Sequence, residues 1–444
     1  MINRGEIEGR LDSSSYHPER IKIIHQLQSR NWELKPLKLV ASFSKNIVSV
    51  NPENLPYIGL ENIESNTGFY VETSEKESFG TAVKFKKNQV LFPKLRPYLN
   101  KVHLADFEGL CSTEFHILDS TIVDNRYLSH FLRLNLVVNQ TKYLMSGNTL
   151  PRLQTADIEN LLIPVLPTET QAEIINIFET AESSKKQKEA EAAALLASID
   201  GYLLQELGIT LPPPSEKKTY FLTRSSQVSG GRFDPFYYQN YFEELNCSLE
   251  NCKYSLLPLK KLASFKSGYA FNSTEYVDDS NCSLITIKNI NKNSVDLSSA
   301  TLLPDSFYDK YSAFQVKKGD LLIAMTGATI GKVGIYESDK KSLLNQRNGI
   351  IRPTAISNGT FLMNVLNIKW FQDLIIRNSN GGAQPNISET DIMRIKIPLP
   401  PLEKQTEITN HISAIRTQAK QLQQQAAAEL AHAKQHVEHL ILGE

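Results

Sequence analysis

Apolar positions along this chain fall into two contrasting patterns. In two long stretches, 169–207 and 403–441, an apolar residue recurs every three or four positions on a background rich in Ala, Glu, Gln and Lys. The first carries Ile174, Phe178 and Ala181, then Ala192, Leu195, Ile199 and Tyr202, and one heptad register joins them if Lys185 and Lys188 occupy the seam positions between. The second carries Ile408, Ile412, Ile415, Ala419, Leu422, Ala426, Leu430, Ala433, Val437 and Leu440, with one stutter at the step from Ala426 to Leu430. A sustained four-three spacing predicts helices that pair through a seam, each about 60 Å long at ~1.5 Å per residue. Elsewhere the apolar residues gather in short runs, such as Val90-Leu91-Phe92 and Asp320-Leu321-Leu322-Ile323-Ala324-Met325, with helical pieces at 127–145 and 360–377. Short strands mixed with helices predict α/β domains. A Pro-punctuated exit precedes each long helix, Ile163-Pro164-Val165-Leu166-Pro167 and Ile397-Pro398-Leu399-Pro400-Pro401, which stops a strand and sets the entry into the helix.

The chain also repeats itself once. PLKLVASF (36–43) and PLKKLASF (258–265) share six residues of eight at an offset of 222, and Gly9-Arg10-Leu11-Asp12 recurs as Gly231-Arg232-Phe233-Asp234 at the same offset. YIGLENI (57–63) echoes LITIKNI (284–290). Residues 147–174 match 381–408 at 11 of 28 positions at an offset of 234, including Pro151/Pro385, Asp157/Asp391 and Gln171/Gln405. The interiors, about 64–146 and 291–380, barely resemble each other, so a common scaffold carries two different surfaces. The expected layout is a first domain over 1–167, a helix over 168–208, a linker over 209–230, a second domain over 231–401 and a last helix over 402–444.

Composition adds little to this picture. The 444 residues exceed one ordinary core, no apolar run reaches the roughly 18–20 residues of a membrane span, and MINRGEIEGRLD lacks the apolar core of a secretory signal. A cytoplasmic protein without a membrane partner is expected. The formal net charge is zero, but it is unevenly placed: the stretch 168–208 carries eight acidic residues against three lysines. A basic run interleaved with Phe85, Phe92 and Tyr98 contains Lys84, Lys86, Lys87, Lys94, Arg96 and Lys101. In the second half, Asn345, Gln346, Arg347, Asn348 and Arg352 bring the groups that read base edges. Lys266, Lys288, Lys292 and Lys332 are candidates for phosphate contacts, which position without specifying.

Catalytic signatures are missing. Gly327-Ala328-Thr329-Ile330-Gly331-Lys332-Val333 has three residues between its glycines and Val where a phosphate loop needs a hydroxyl, so a turn between strands is expected. Asp234-Pro235-Phe236 lacks the second proline of an amino-methyltransferase tetrad, and no glycine-rich cofactor loop precedes it. The cysteines Cys111, Cys247, Cys252 and Cys282 have no zinc-site spacing. His432, His436 and His439 share one helical stripe, read as solvated or partner-facing in preference to a metal site. No catalytic residue, metal or cofactor is assigned to the chain.

Taken together, GYAF (268–271), GDLLIAMTGATIGKVGIY (319–336), LNQRNGIIRP (344–353), GGAQPNIS (381–388) and IPLPPLEKQTEI (397–408) resemble the specificity subunits of Type I restriction–modification enzymes. Weaker versions in the first half are KFKKNQVLFPKLRPYLNKV (84–102), SGNTLPRLQTADI (146–158) and IPVLPTETQAEI (163–174), with Pro93-Lys94-Leu95-Arg96-Pro97 in place of the glycine turn. The resemblance spans essentially the full length. It implies two tandem, pseudo-twofold related α/β target-recognition domains, each followed by a long helix, the two helices forming an antiparallel coiled coil. Each domain would read one half of a bipartite, asymmetric site on double-stranded DNA, with the helices setting the spacing. Under it Asn148, Arg152, Asn289, Thr326, Thr329, Gln384 and Asn386 join the candidate DNA-binding residues. The implied partners are two modification subunits that hold S-adenosylmethionine and methylate adenine, joined in the full phage-defence complex by restriction subunits with an ATP- and magnesium-dependent motor. The seams, including Ile174, Phe178, Ala181, Leu195, Ile199, Ile408, Ile412, Ile415, Leu422, Leu430 and Val437, are the expected coiled-coil and docking positions, leaving the isolated subunit poorly soluble. A DNA methyltransferase or nuclease with an unrecognised active site, or a coiled-coil protein adaptor, are the alternative readings.

Overall fold

The structure is a computed structural model describing residues 13–44, 46–49, 54–73, 80–147, 149–213, 235–379 and 384–443. The chain forms two compact units, Met1–Glu191 with Gln421–Glu444, and Ala192–Lys420. Gly9–Asp12, Gly231–Asp234, Gly381 and most of the 209–230 linker lie outside the described residues.

In the first unit, one sheet runs in the order Ala41–Ser44, Phe115–Ser120, Val90–Pro93 and His103–Leu104. A second is ordered Ile47–Val48, Ala82–Phe85, Gly109–Ser112 and Tyr57–Ile58. The second unit has a six-stranded sheet ordered Ala263–Ser267, Asn348–Pro353, Leu321–Ala324, Val333–Ile335, Asn293–Val295 and Ile290–Asn291, and a three-stranded one of Thr301–Leu303, Cys282–Ile285 and Ser342–Leu344. The apolar runs singled out above are buried strands: Val90–Pro93 and Leu321–Ala324 are buried at every position. The helical pieces are each two helices, Asn125–Leu132 with Asn135–Thr141, and Gly359–Leu366 with Lys369–Asn378. Each break falls at a buried residue with extended backbone, Leu134 or Ile368. At the first, the freed carbonyl of Arg133 accepts from Asn100 Nδ2 at 2.9 Å.

Both Pro-rich exits make the same local structure. Glu33–Pro36 pairs antiparallel with Leu162–Val165, and Leu256–Pro258 with Lys396–Pro398. The next residue extends each ladder, Leu37 N to Leu161 O at 2.8 Å and Leu259 N to Ile395 O at 2.9 Å. Past the prolines begin the long helices, Thr168–Leu207 and Leu402–Leu442. The first ends on Gly208 at φ 68°, with Ile209 N reaching Leu204 O, the left-handed stop that glycine favours.

At the root of each helix a buried glutamine ties it to its domain. Gln171 Oε1 accepts from Asp124 N at 2.9 Å and its Nε2 donates to Leu166 O at 2.8 Å. Gln405 repeats this with Asn358 N at 2.8 Å and Pro400 O at 2.9 Å. The donors, Asp124 and Asn358, are the N-caps of Asn125–Leu132 and Gly359–Leu366. One side chain thus satisfies the N-cap N–H of a domain helix and a carbonyl just ahead of the long helix.

Within each unit the long helices run antiparallel against each other. In the first unit Lys188 meets Glu429 at 2.8 Å, and Ile174 and Phe178 share a core with Leu430 and Val437. In the second, Glu206 meets Lys404 at 2.8 Å, and Ile199 packs with Ile408 and Ile412, with Ile415 alongside. All the anticipated seam positions are buried or half-buried, Ala181, Leu195 and Leu422 among the latter, and Lys185 is 7% exposed, paired with Glu189 and near Glu64 and Phe69. This corrects one expectation. The seams pack against each other inside the chain instead of standing open for a partner, and exposed apolar residues on the long helices include Leu196 and Leu402.

Replacing Gln171 or Gln405 with Ala should destabilise the protein by about 1–3 kcal/mol, because main-chain groups at the joint lose their partner. Urea unfolding of each variant measures it.

Candidate nucleic-acid interface

The most instructive geometry is a clasp formed in both units. In the second, the turn after strand Leu321–Ala324 is pinned on both sides. Met325 N donates to Arg347 O at 3.0 Å, Ile387 N to Met325 O at 3.1 Å and Gly327 N to Pro385 O at 2.9 Å, with Thr326 bridged to Asn386. In the first, Lys94 N donates to Glu114 O at 2.8 Å, Leu153 N to Lys94 O at 3.0 Å and Arg96 N to Pro151 O at 2.8 Å, with Leu95 bridged to Arg152. Arg96 adopts φ 49°, the left-handed conformation that Gly327 adopts at φ 75°. The Pro-Lys-Leu-Arg-Pro segment is therefore the same turn built without glycine, held there by the surrounding bonds.

The clasp backbone is common to both units and its exposed side chains are not. Arg152 stands where the second unit has Asn386, and Glu114 where it has Arg347. Arg152 is held by Glu114 in an ion pair, while Arg347, Gln346, Gln384 and Asn386 are exposed and Asn345, Thr326 and Thr329 half-buried. Burial pulls the Lys94 ammonium below its usual range, partly offset by Glu114.

Further groups join the second clasp. Gln346 N donates to Tyr269 O and Tyr269 N to Leu344 O, and a Cβ on Gly268 would lie 2.2 Å from the Asn345 carbonyl, so only glycine allows the two segments to lie so close. Tyr269, 38% exposed, packs on Tyr311 with ring centres 4.8 Å apart, and exposed Lys266 reaches over Phe314 at 5.2 Å. Lys332 closes the 327–329 turn with its side chain in solvent, Lys288 is exposed on Ile287–Asn289, and Lys292 is exposed on the adjoining hairpin. Glu114 and Tyr269 were not singled out as candidates; the repeat extended to position 347 points to the first, and the GYAF motif to the second.

Not all the candidates belong to a DNA surface. The basic run of the first domain is split. Lys84 pairs with Glu108 at 3.1 Å and Lys101 donates to Leu60 O at 2.8 Å, while Lys86 and Lys87 are exposed on the turn between the two sheets. Asn289 and Asn348 are corrected outright, since they are 1% and 0% exposed. Asn289 accepts from Thr286 N at 2.9 Å and donates to Asp296 O at 3.0 Å, and Asn62 repeats both bonds with Gly59 N and Val71 O. It is the final Asn of the YIGLENI/LITIKNI echo and fastens a turn. Asn348 turns inward to Asn345 O, and Arg352 is held by Asp320 at 2.8 Å. Asn148 lies outside the described residues.

Among the described residues no group of three or more His, Cys, Asp or Glu is placed to hold a metal, and no helix is long and apolar enough to cross a membrane. The cysteines are free, Cys111 and Cys282 buried.

Comparison with known proteins places this architecture. The Type I restriction modification DNA specificity domain matches twice, over residues 30–195 and 253–432, so the chain belongs to that family and its role is recognition of a DNA target. The Type I restriction enzyme MjaVIII specificity subunit of Methanocaldococcus jannaschii is 23% identical over 90% of each chain. The EcoDI specificity subunit of Escherichia coli is 27% identical over 35% of this chain and 37% of its own. A solved chain described under complex assembly and conformational transition of the type I restriction–modification system is 18% identical, with a TM-score of 0.55 over 93% of this chain and 96% of that one; it shares the fold. The catalytic and adaptor alternatives are not favoured.

Arg347→Ala should leave the melting temperature within about 2 °C and weaken binding to the cognate DNA about 5- to 100-fold. Asn289→Ala should do the reverse, lowering stability by about 1–3 kcal/mol with the folded protein's affinity retained. Fluorescence anisotropy beside thermal melts separates the two.

Proposed function

We propose that the chain is the non-catalytic reader of a Type I restriction–modification enzyme, each clasp addressing one half of a bipartite, asymmetric site. The observation that carries this is the pair of clasps with matching backbone bonds and different side chains, exposed Arg152 and half-buried Glu114 against exposed Asn386 and Arg347. Arg suits guanine and Asn suits adenine in the major groove, so the two faces select different bases on one docking frame. Lys86, Lys87, Lys266, Lys288, Lys292 and Lys332 supply phosphate contacts that fix register and make binding salt-dependent.

The long helices set the distance between half-sites, and their exposed outer faces, acidic on the first, dock two modification subunits in the cytoplasm. Those partners bring S-adenosylmethionine and methylate adenine; restriction subunits bring ATP, magnesium and the motor. The domains in this reading span 1–167 and 231–401, with the linker at 209–230.

Sequencing the methylome of cells that carry this chain with its modification subunit should return a two-part adenine-methylated motif. Exchanging residues 1–167 for those of another family member should alter one part alone. A continuous or palindromic motif, or methyl transfer by the purified chain by itself, contradicts the reading.

A further inference from the structure

The offset of 234 that relates the halves lets every charge on one long helix be compared with its counterpart on the other. Position 182 is Glu and its counterpart 416 is Arg; position 200 is Asp and its counterpart 434 is Lys. Both inversions lie where the helices meet. In the first unit Glu182 binds Arg133 at 2.8 Å, and Lys434, 8% exposed, donates to Asn66 O at 2.7 Å, repelled by Arg133 and attracted by Glu438 on its own helix and, more weakly, by Glu182. In the second, Arg416 donates to Asn364 Oδ1 at 2.7 Å, within Coulombic reach of Asp200. Two more pairs cross directly, Lys188–Glu429 and Glu206–Lys404, both at 2.8 Å. Their counterparts carry no charge: Leu422 and Leu195 for the first, Leu440 and Thr170 for the second.

A duplicated chain has three ways to pair such helices: first with last, first with the first of a second copy, or last with last. In a self-pair each residue meets the counterpart of its present neighbour. Glu182 would then meet Asp200, and Arg416 would meet Lys434. Lys188 and Glu429 would each face a leucine, Glu206 a threonine and Lys404 a leucine. The apolar seam cannot make this distinction, because its counterparts are much alike, as in Ile174/Ile408, Ala192/Ala426 and Leu203/Val437. Partner choice in paired helices falls to charges flanking the seam.

We propose that the two direct crossings, Lys188–Glu429 and Glu206–Lys404, and the inverted charges at 182/416 and 200/434 beside them make the pairing heterotypic: the first long helix accepts the last helix and rejects a second copy of itself, and the last helix does likewise. The pairing therefore always brings one domain of each kind together, never two alike.

The test uses the full chain, thermal unfolding and light-scattering mass. Asp200→Lys and Arg416→Glu each place like charges together and should each lower the melting temperature by at least about 3 °C. The double variant restores attraction and should regain most of the loss. Its introduced carboxylate at position 416 can accept from Asn364 Nδ2, a buried donor with no partner among the described residues. Asp200→Lys with Lys434→Glu rewrites the pattern: Glu182 then matches the lysine introduced at position 200 of a second copy, while both present matches become repulsive. This chain should associate at micromolar concentration where the wild type stays monomeric. A double variant no more stable than the sum of its singles overturns the proposal, as does a monomeric, undiminished Asp200→Lys/Lys434→Glu chain. Should the latter not fold, the Asp200–Arg416 cycle decides alone.

Discussion

A long helix can space a domain only if the two are joined without play, and here a buried amide stands at the root of each joint. Gln171 and Gln405 each accept from the N-cap residue of a domain helix and donate to a carbonyl just before the long helix begins. An amide buried this deeply carries both bonds or is costly to keep, so the angle between domain and helix is set by a group that cannot relax into water. The Pro-rich strand that precedes it pairs with a strand from the start of the same domain, so the beginning and end of each domain are fastened at the same place.

From that joint the remaining structure follows as two levels. Main-chain groups are committed to framework: the clasp bonds, the turn fastened by Asn62 or Asn289, the exit ladder. Side chains left over at the clasp face solvent and differ between units. This division lets one fold present two chemistries, because the bonds that hold the turn do not depend on which side chain it carries. In the proposed function those few exposed groups and the lysines around them carry the recognition.

Much of this was legible in the sequence. Heptad spacing placed both helices, because periodicity is read directly from residue type. Gln171/Gln405 and Pro151/Pro385 stood out as repeated pairs, although their roles did not. What could not be read was direction. Asn289 and Asn348 have the same chemistry as Gln346 and Asn386, and only the fold shows that the first two point inward. The basic run misled for the same reason: Lys84 and Lys101 are tied to neighbours distant in sequence, Glu108 and Leu60. Pro93–Pro97 could be set opposite the glycine turn by position, but that Arg96 takes the left-handed conformation of Gly327 was hidden, because a shared backbone leaves no shared residue.

The bridge that carries Arg152 in one unit and Asn386 in the other has a consequence for inheritance. Its hydrogen bonds are made by main chain, and its side chain stands outside the core. Under the proposed function, a substitution there would change which base is addressed while the main-chain bonds keep the turn, so new targets would be reached by single steps without an unstable ancestor.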